Sequence, residues 1–409
     1  MKAMKKFVPA AGSSGLRQGI SAVLLGALAA LGAASTQAQT VRVGLVMSSS
    51  GPFASLGDQI DKAVRLYTKQ HADSLPPGVK IEIISRDDGG PNPDTAKRLT
   101  QELIVRDKVN FLTGFIWTPN AMAAAPLITE SKTPLVIMNA AASVITTRSP
   151  YFVRMSFTLW QPAYQVGIWA AKKYKRAYTM VSDFAPGHDA EAAFVKGFTD
   201  NGGQLVGQVR MPLANPDFVA YMQRAKDMKP EVIFNMVSAG VTSTRLMKAY
   251  GDLELRKAGI PFVGTGDAVT EEELVNMGDA PLGYISAMHY SMAGDRPANK
   301  AFVAAWEREY GRAVPPGFIA VGAYDAMDAI YTAVREQKGK VDPDLSMKIL
   351  AGYRNPDSPR GPIAIDPATR DIVQNIYIRE TRRVGDRLAN VELETIPAVK
   401  DPWKEFNSK

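Results

Sequence analysis

Chemistry in this chain would have to come from three histidines, a set of carboxylates and no cysteine at all. His71, His188 and His289 fall on separate stretches, so they do not form a ligand set or a relay. Without cysteine there is no thiol nucleophile. Beyond residue 38 the chain contains no G-x-S-x-G, no H-E-x-x-H and no phosphate-loop Gly-Lys-Ser/Thr. Asp87-Asp88 is a carboxylate pair, but Gly89-Gly90 follows it, and the four residues read better as a turn ending a strand. No catalytic residue, metal ligand or cofactor is expected. The more informative feature is VRVGLVMSSSGPFASLGDQIDKAVRLY, residues 41–67. It reads as a strand, a Ser/Gly-rich turn and a helix N-terminus, whose free N–H groups attract carboxylates. That is equipment for holding a small molecule.

Other elements must position such a loop. Strand and helix patterns alternate, which predicts a parallel sheet with crossover helices, an α/β fold. Strands are expected at 41–47, 79–85, 110–113, 134–138, 177–182, 204–209, 232–237 and 261–264. Helices are expected at 54–70, 94–107, 119–130, 159–174, 189–201, 218–228 and 242–250. The rhythm then changes, with strands at 284–290, 363–365 and 373–379 and helices at 299–310 and 318–336. Two such units without a flexible linker suggest two lobes across a cleft. Ligands of these sheets sit beyond the C-terminal ends of strands. The candidate loops are therefore 48–57, 114–120, 139–143, 183–189, 237–242 and 264–270.

The first 38 residues read as a signal peptide. Lys2, Lys5, Lys6 and Arg17 are its basic part, 20–31 its apolar part, and Thr36-Gln37-Ala38 a cleavage site. An apolar run of about 12 residues falls short of the roughly 20 needed to span a bilayer. No cysteine follows the cleavage site, so a lipid anchor is not expected there, and the expected location is the periplasm. The whole chain carries +7; removing the four basic leader residues leaves 44 basic against 41 acidic side chains, or +3. With no basic stripe interleaved with aromatics, neither nucleic-acid binding nor direct membrane insertion is expected.

Ordered motifs run the length of the mature chain: SSSGPFASLGDQ, ISRDDGGPNPDTAKRLTQELI, VNFLTGFIWTPNAMAAAPLITESKTPLV, YFVRMSF, GFTDNGGQLVGQVRMPLANPDF, MGDAPLGYISAMHYS, RPANKAFVAAWEREYG, GAYDAMDAI and SPRGPIAID. In this order they resemble the leucine/isoleucine/valine-binding proteins, type I periplasmic binding proteins of ABC importers. The resemblance implies two Rossmann-like lobes joined by hinge crossovers, with a carboxylate-bearing ligand between them and an inner-membrane ABC permease as partner. A ligand sensor for a membrane receptor is the alternative with the same fold. The lobes are expected at 39–156 plus 288–360 and at 157–287 plus 361–409, with crossings near Ser156, Ala287 and Arg360.

The resemblance also implies a site. The family's third-strand loop has a Gly followed four residues on by Ser or Thr, which holds the ligand carboxylate. Here Gly114 leads to Thr118, which also reads as a helix cap before Pro119. Trp117 replaces a usually small residue, and Asn120 is a further amide. Asn139, Ala140 and Ala141 would supply backbone contacts, and alanine there weakens the ammonium side of an amino-acid site. Phe53 would wall the pocket or belong to the lobe core. Pro186 stands where the family has an aromatic, so Phe184 or His188 would fill the space. Asp267 falls where amino-acid binders pair the ammonium, and reads equally as a turn carboxylate. Together with Tyr290 and Phe318 these residues suggest a flat apolar pocket, for a hydrophobic amino acid or an aromatic acid. Arg154 reads as a buried hinge residue rather than a carboxylate partner.

Overall fold

The computed structural model describes residues 1, 3–10 and 39–407. The apolar segment and cleavage site expected within 11–38 lie outside the described residues. Both sheets, from Thr40 onward, belong to one compact unit.

The first sheet has the order β2-β1-β3-β4-β5. Its strands are β1 (Gln39–Met47), β2 (Val79–Asp87), β3 (Phe111–Gly114), β4 (Leu135–Ile137) and β5 (Phe152–Arg154). β1, β3, β4 and β5 pair in parallel. Helices α1 (Ala54–Gln70), α2 (Pro93–Val105) and α3 (Thr118–Ser131) connect them. β3, β4 and β5 are buried along their whole length, as strands covered on both faces must be.

The second sheet opens with the same pattern, β7-β6-β8-β9-β10, again with parallel pairing. It is built from β6 (Arg176–Ser182), β7 (Gln204–Met211), β8 (Val232–Met236), β9 (Phe262–Thr265) and β10 (Ile285–Met288). The helices α4 (Trp160–Ala171), α5 (Ala185–Thr199), α6 (Phe218–Asp227), α7 (Val241–Asp252) and the single turn α8 (Glu271–Leu274) accompany it. The chain then returns to the first sheet. α9 (Pro297–Tyr310), α10 (Phe318–Glu336) and α11 (Pro343–Ala351) form the return. α10 lies against α1 through Tyr67 Oη donating to Asp328 Oδ1 at 2.6 Å. It crosses β4 where a Cβ on Gly322 would stand 3.0 Å from the Met138 carbonyl. Finally β11 (Arg354–Asn355), β12 (Ile363–Ile365), β13 (Ile372–Val384) and β14 (Arg387–Val399) extend the second sheet antiparallel, and α12 (Pro402–Asn407) closes the chain. Among the described residues no helix is long and apolar enough to cross a membrane.

The structure departs from the sequence reading at several places. β5, β11, α11, β14 and α12 were not expected. β5 has only three residues, too few to show a period. β14 carries mixed polar and apolar residues because much of it is exposed. α5 begins at Ala185 instead of 189, with Pro186 in its first turn, where a missing N–H costs nothing.

The two halves also repeat a backbone device. A Cβ on Gly57 would lie 2.0 Å from the Ser48 carbonyl, and one on Gly187 would lie 1.9 Å from the Ser182 carbonyl. In each half the helix after the first strand comes so close to the strand end that only glycine fits.

Candidate functional site

One cavity collects residues from the C-terminal ends of strands in both sheets. Ile116, Trp117 and Thr118 follow β3, and Asn139 and Ala141 follow β4. Phe157 and Leu159 follow β5. From the second sheet come Phe184 and Pro186 after β6, Met236, Ser238 and Ala239 at β8, and Asp267 after β9. Leu56 of α1 and Phe318 at the start of α10 complete the lining. The space between these side chains, counted together with the solvent open to it, is about 420 Å³.

The first-sheet end is built around a helix start. Pro119 sits in the first turn of α3, whose first N–H groups have no intrahelical acceptor. Thr118 is the first helical residue and not its cap, a correction to the capping reading. Its Oγ1 instead accepts from the Ala142 N–H at 3.3 Å, tying the β3 and β4 loops together. The hydroxyl proton is left for another acceptor. Asn139 Nδ2 donates to the Ile116 carbonyl at 3.0 Å, and its buried Oδ1 has no partner.

The second-sheet end is acidic and buried. Asp267 is buried, and its Oδ2 has no hydrogen-bond partner. Burial pushes its carboxyl up to about 6, against the opposing pull of Thr265 and Arg379. Ser238 Oγ is likewise buried without a partner. Between these ends stand the rings of Trp117, Phe157, Phe184 and Phe318. Phe157 and Phe318 meet edge to face at 5.5 Å.

Trp117, Thr118, Asn139, Ala141, Phe184 and Asp267 thus converge on one cavity. Five residues singled out from the sequence do not line it. Asn120 is turned away, its amide donating to Asp88 Oδ2 and to the Gly90 carbonyl, both at 2.9 Å. Phe53 backs the Trp117 indole edge to face, at 4.5 Å between centroids. Ala140 is buried behind the loop, where its carbonyl accepts from Arg154. His188 is half exposed, and its Nε2 pairs with Asp183 Oδ1 at 2.7 Å; the earlier start of α5 carries it past the cleft. Tyr290 is wholly buried, and its carbonyl accepts from Arg379. Arg154 is also fully buried and pairs with Asp371 at 2.8 Å. The lining residues Leu56, Ile116, Leu159, Met236, Ser238, Ala239 and Phe157 were not read as contacts. Phe157 and Leu159 sit just after the first crossing, where the YFVRMSF motif was the only available signal.

With this geometry in hand, comparison with known proteins is specific. A family profile described as periplasmic binding protein matches residues 40–386. The Leu/Ile/Val-binding protein homolog 6 of Brucella melitensis is 39% identical over 378 residues, which is 92% of this chain and 96% of that protein. A solute-binding protein of an ABC transporter from Rhodopseudomonas palustris BisB5, solved with 3,4-dihydroxybenzoic acid, is 48% identical with a TM-score of 0.86, covering 90% of this chain and 99% of that one. A second, from Rhodopseudomonas palustris HaA2 and solved with p-hydroxybenzoic acid, is 42% identical with a TM-score of 0.85, covering 88% and 98%. The chain belongs to the periplasmic binding protein family and is a solute-binding protein of the leucine/isoleucine/valine-binding type that serves ABC transporters.

Proposed function

We propose that the protein captures a hydroxylated aromatic carboxylate in the periplasm and delivers it to an inner-membrane ABC permease. The ligand carboxylate meets the Thr118 hydroxyl and the first N–H groups of α3. The ring lies among Trp117, Phe157, Phe184 and Phe318. A ring hydroxyl meets Asp267 Oδ2 and Ser238 Oγ, two buried polar atoms without partners. Closure of the second lobe excludes water and strengthens these bonds. The observation that carries the reading is the cavity itself, a small aromatic slot with anion-binding equipment at one end and partnerless acceptors at the other. The ligands of the two Rhodopseudomonas palustris proteins support it. Leucine, isoleucine and valine are the competing ligands, since Asp267 could pair with an ammonium group. Export through the N-terminal leader belongs to the same proposal.

The test is a thermal-shift and calorimetric screen of residues 39–409 against 4-hydroxybenzoate, 3,4-dihydroxybenzoate, benzoate, leucine, isoleucine, valine and phenylalanine. A ligand that binds only the folded state raises its midpoint with concentration. Stabilisation by the aromatic acids is the expected result. Stabilisation by the amino acids alone would replace the reading with amino-acid capture.

A further inference from the structure

Trp117 forms one wall of the cavity, yet its indole is held from outside the cavity. Its Nε1–H donates to Ser48 Oγ at 2.9 Å. The Ser48 hydroxyl donates in turn to Asp88 Oδ1 at 2.6 Å. Gly90 N–H donates to the same oxygen at 3.1 Å, and Asn120 Nδ2 donates to Asp88 Oδ2 at 2.9 Å. Ser48, Asp88 and Asn120 are all buried. None of them lines the cavity.

The direction of this chain is forced. An indole N–H can only donate, so Ser48 Oγ must accept from it. The single hydroxyl proton of Ser48 must then point at an acceptor, and an ionised carboxylate is an acceptor on every lone pair. Asp88 therefore fixes the Ser48 rotor, and the Ser48 rotor fixes the indole. The same carboxylate anchors Asn120, two residues beyond Thr118 on α3, so the ring wall and the helix start share one anchor.

The segment being held needs an anchor. Gly114 has φ +93° and Phe115 has φ +56°. A bulky residue in the left-handed region is unfavourable and persists only where its surroundings over-determine it. Phe53 packs against the indole, and a Cβ on Gly90 would stand 3.4 Å from the Phe53 ring, so the Asp88 turn also backs that contact.

We propose that Asp88, acting through Ser48, is a positioning residue that sets the Trp117 indole and thereby the ring-substitution pattern the cavity accepts. This rests on the aromatic-acid reading of the cavity. Neither Asp88 nor Ser48 lines the cavity.

The test uses the mature chain labelled with ¹⁵N-tryptophan, which carries five indole N–H groups. Trp117→Phe keeps an aromatic ring, removes the donor and assigns the Trp117 signal by its loss. Ser48→Ala and Asp88→Asn are each expected to move that one signal upfield, speed its exchange with solvent and leave the other four in place. The two variants are also expected to lower the affinity ratio between 4-hydroxybenzoate and benzoate about fivefold or more. Ser48→Ala combined with Trp117→Phe is expected to bind no more weakly than Trp117→Phe alone, since coupled residues are not additive. An unmoved Trp117 signal in Ser48→Ala overturns the relay, and this arm needs no ligand. A moved signal with an unchanged affinity ratio overturns the specificity role. If the wild type binds only amino acids, the proposed function fails instead, and the same cycle is read with leucine against phenylalanine. Where Asp88→Asn does not fold, Ser48→Ala and Trp117→Phe alone complete the cycle.

Discussion

Asp267 and Thr118 stand at opposite ends of one cavity, and substitution separates their roles. Thr118→Ala removes a hydroxyl aimed at the group common to every candidate ligand. Affinity for benzoate and for 4-hydroxybenzoate is expected to fall together, by roughly 1–3 kcal/mol. Asp267→Ala removes an acceptor that only a hydroxylated ring uses. Affinity for 4-hydroxybenzoate is expected to fall by a similar 1–3 kcal/mol, with benzoate unchanged within measurement. Calorimetry on both ligands checks the pair, and an equal loss for both in Asp267→Ala would remove the hydroxyl from that end. The sequence made half of this site legible, for a physical reason. Trp117, Thr118, Asn139, Ala141, Phe184 and Asp267 follow recognisable strand ends, so pattern alone places them near a cleft. Phe157 and Leu159 lie outside every candidate loop and become neighbours of the site only through pairing between distant segments. His188 lies outside the cavity because α5 starts four residues, about one turn, earlier than its pattern suggests.

The elements are tied together by buried ion pairs at the crossings between lobes. Arg360 is fully buried and bonds to Asp325 Oδ2 at 2.8 Å. Its guanidinium also reaches the carbonyls of Met155 and Ser156 and the side chain of Gln374. One side chain thus joins the first crossing, α10 and β13. Burial holds the Asp325 carboxyl up at about 6 even with this partner. Arg360→Ala would strand that acid, and breaking one side of a buried pair costs about 3–5 kcal/mol. A urea titration is expected to show a loss of this size, and a loss below about 1 kcal/mol would mean the crossing is held by other contacts. The alternating pattern made the parallel strands other than the three-residue β5 legible in order, because each longer buried strand and its amphipathic helix carry their own period. β14 and the antiparallel tail were not legible in full, because a half-exposed ribbon has a weaker pattern than a buried strand.

At the scale of the whole molecule, the run Glu271-Glu272-Glu273 gives the proposed lobe closure an expected pH dependence. Glu271 is spent within its own lobe, on Arg379 at 3.5 Å. Glu273 reaches across, accepting from Ser55 on α1 at 3.1 Å. Glu272 lies against the start of α10, where a Cβ on Gly317 would stand 2.3 Å from its Oε2. Gln59, from α1, meets the same turn by accepting from the Gly317 N–H at 2.8 Å, and neither residue is charged. Both Glu272 oxygens are buried without partners. Burial pushes its carboxyl up to about 8, and repulsion from Glu271 and Glu273 adds to the rise. An acid whose pKa is raised in the closed form holds a proton there that it releases once open to water. Closure therefore takes up a proton between the ordinary value near 4.5 and the closed-state value near 8. Its stabilisation is fully present below that window and is lost as pH rises through it. Ligand affinity is expected to weaken across about pH 5–8, by at most about tenfold per pH unit for one proton. Glu272→Gln keeps the shape without the titration, so it should bind more tightly than wild type at pH 8. It should also flatten the profile above pH 6.5, while Asp267, near 6, leaves a slope below that. Calorimetry at pH 5, 6, 7 and 8 in buffers of different ionisation enthalpy counts the protons directly. Proton uptake near pH 7 that persists in Glu272→Gln would assign the linkage to another group.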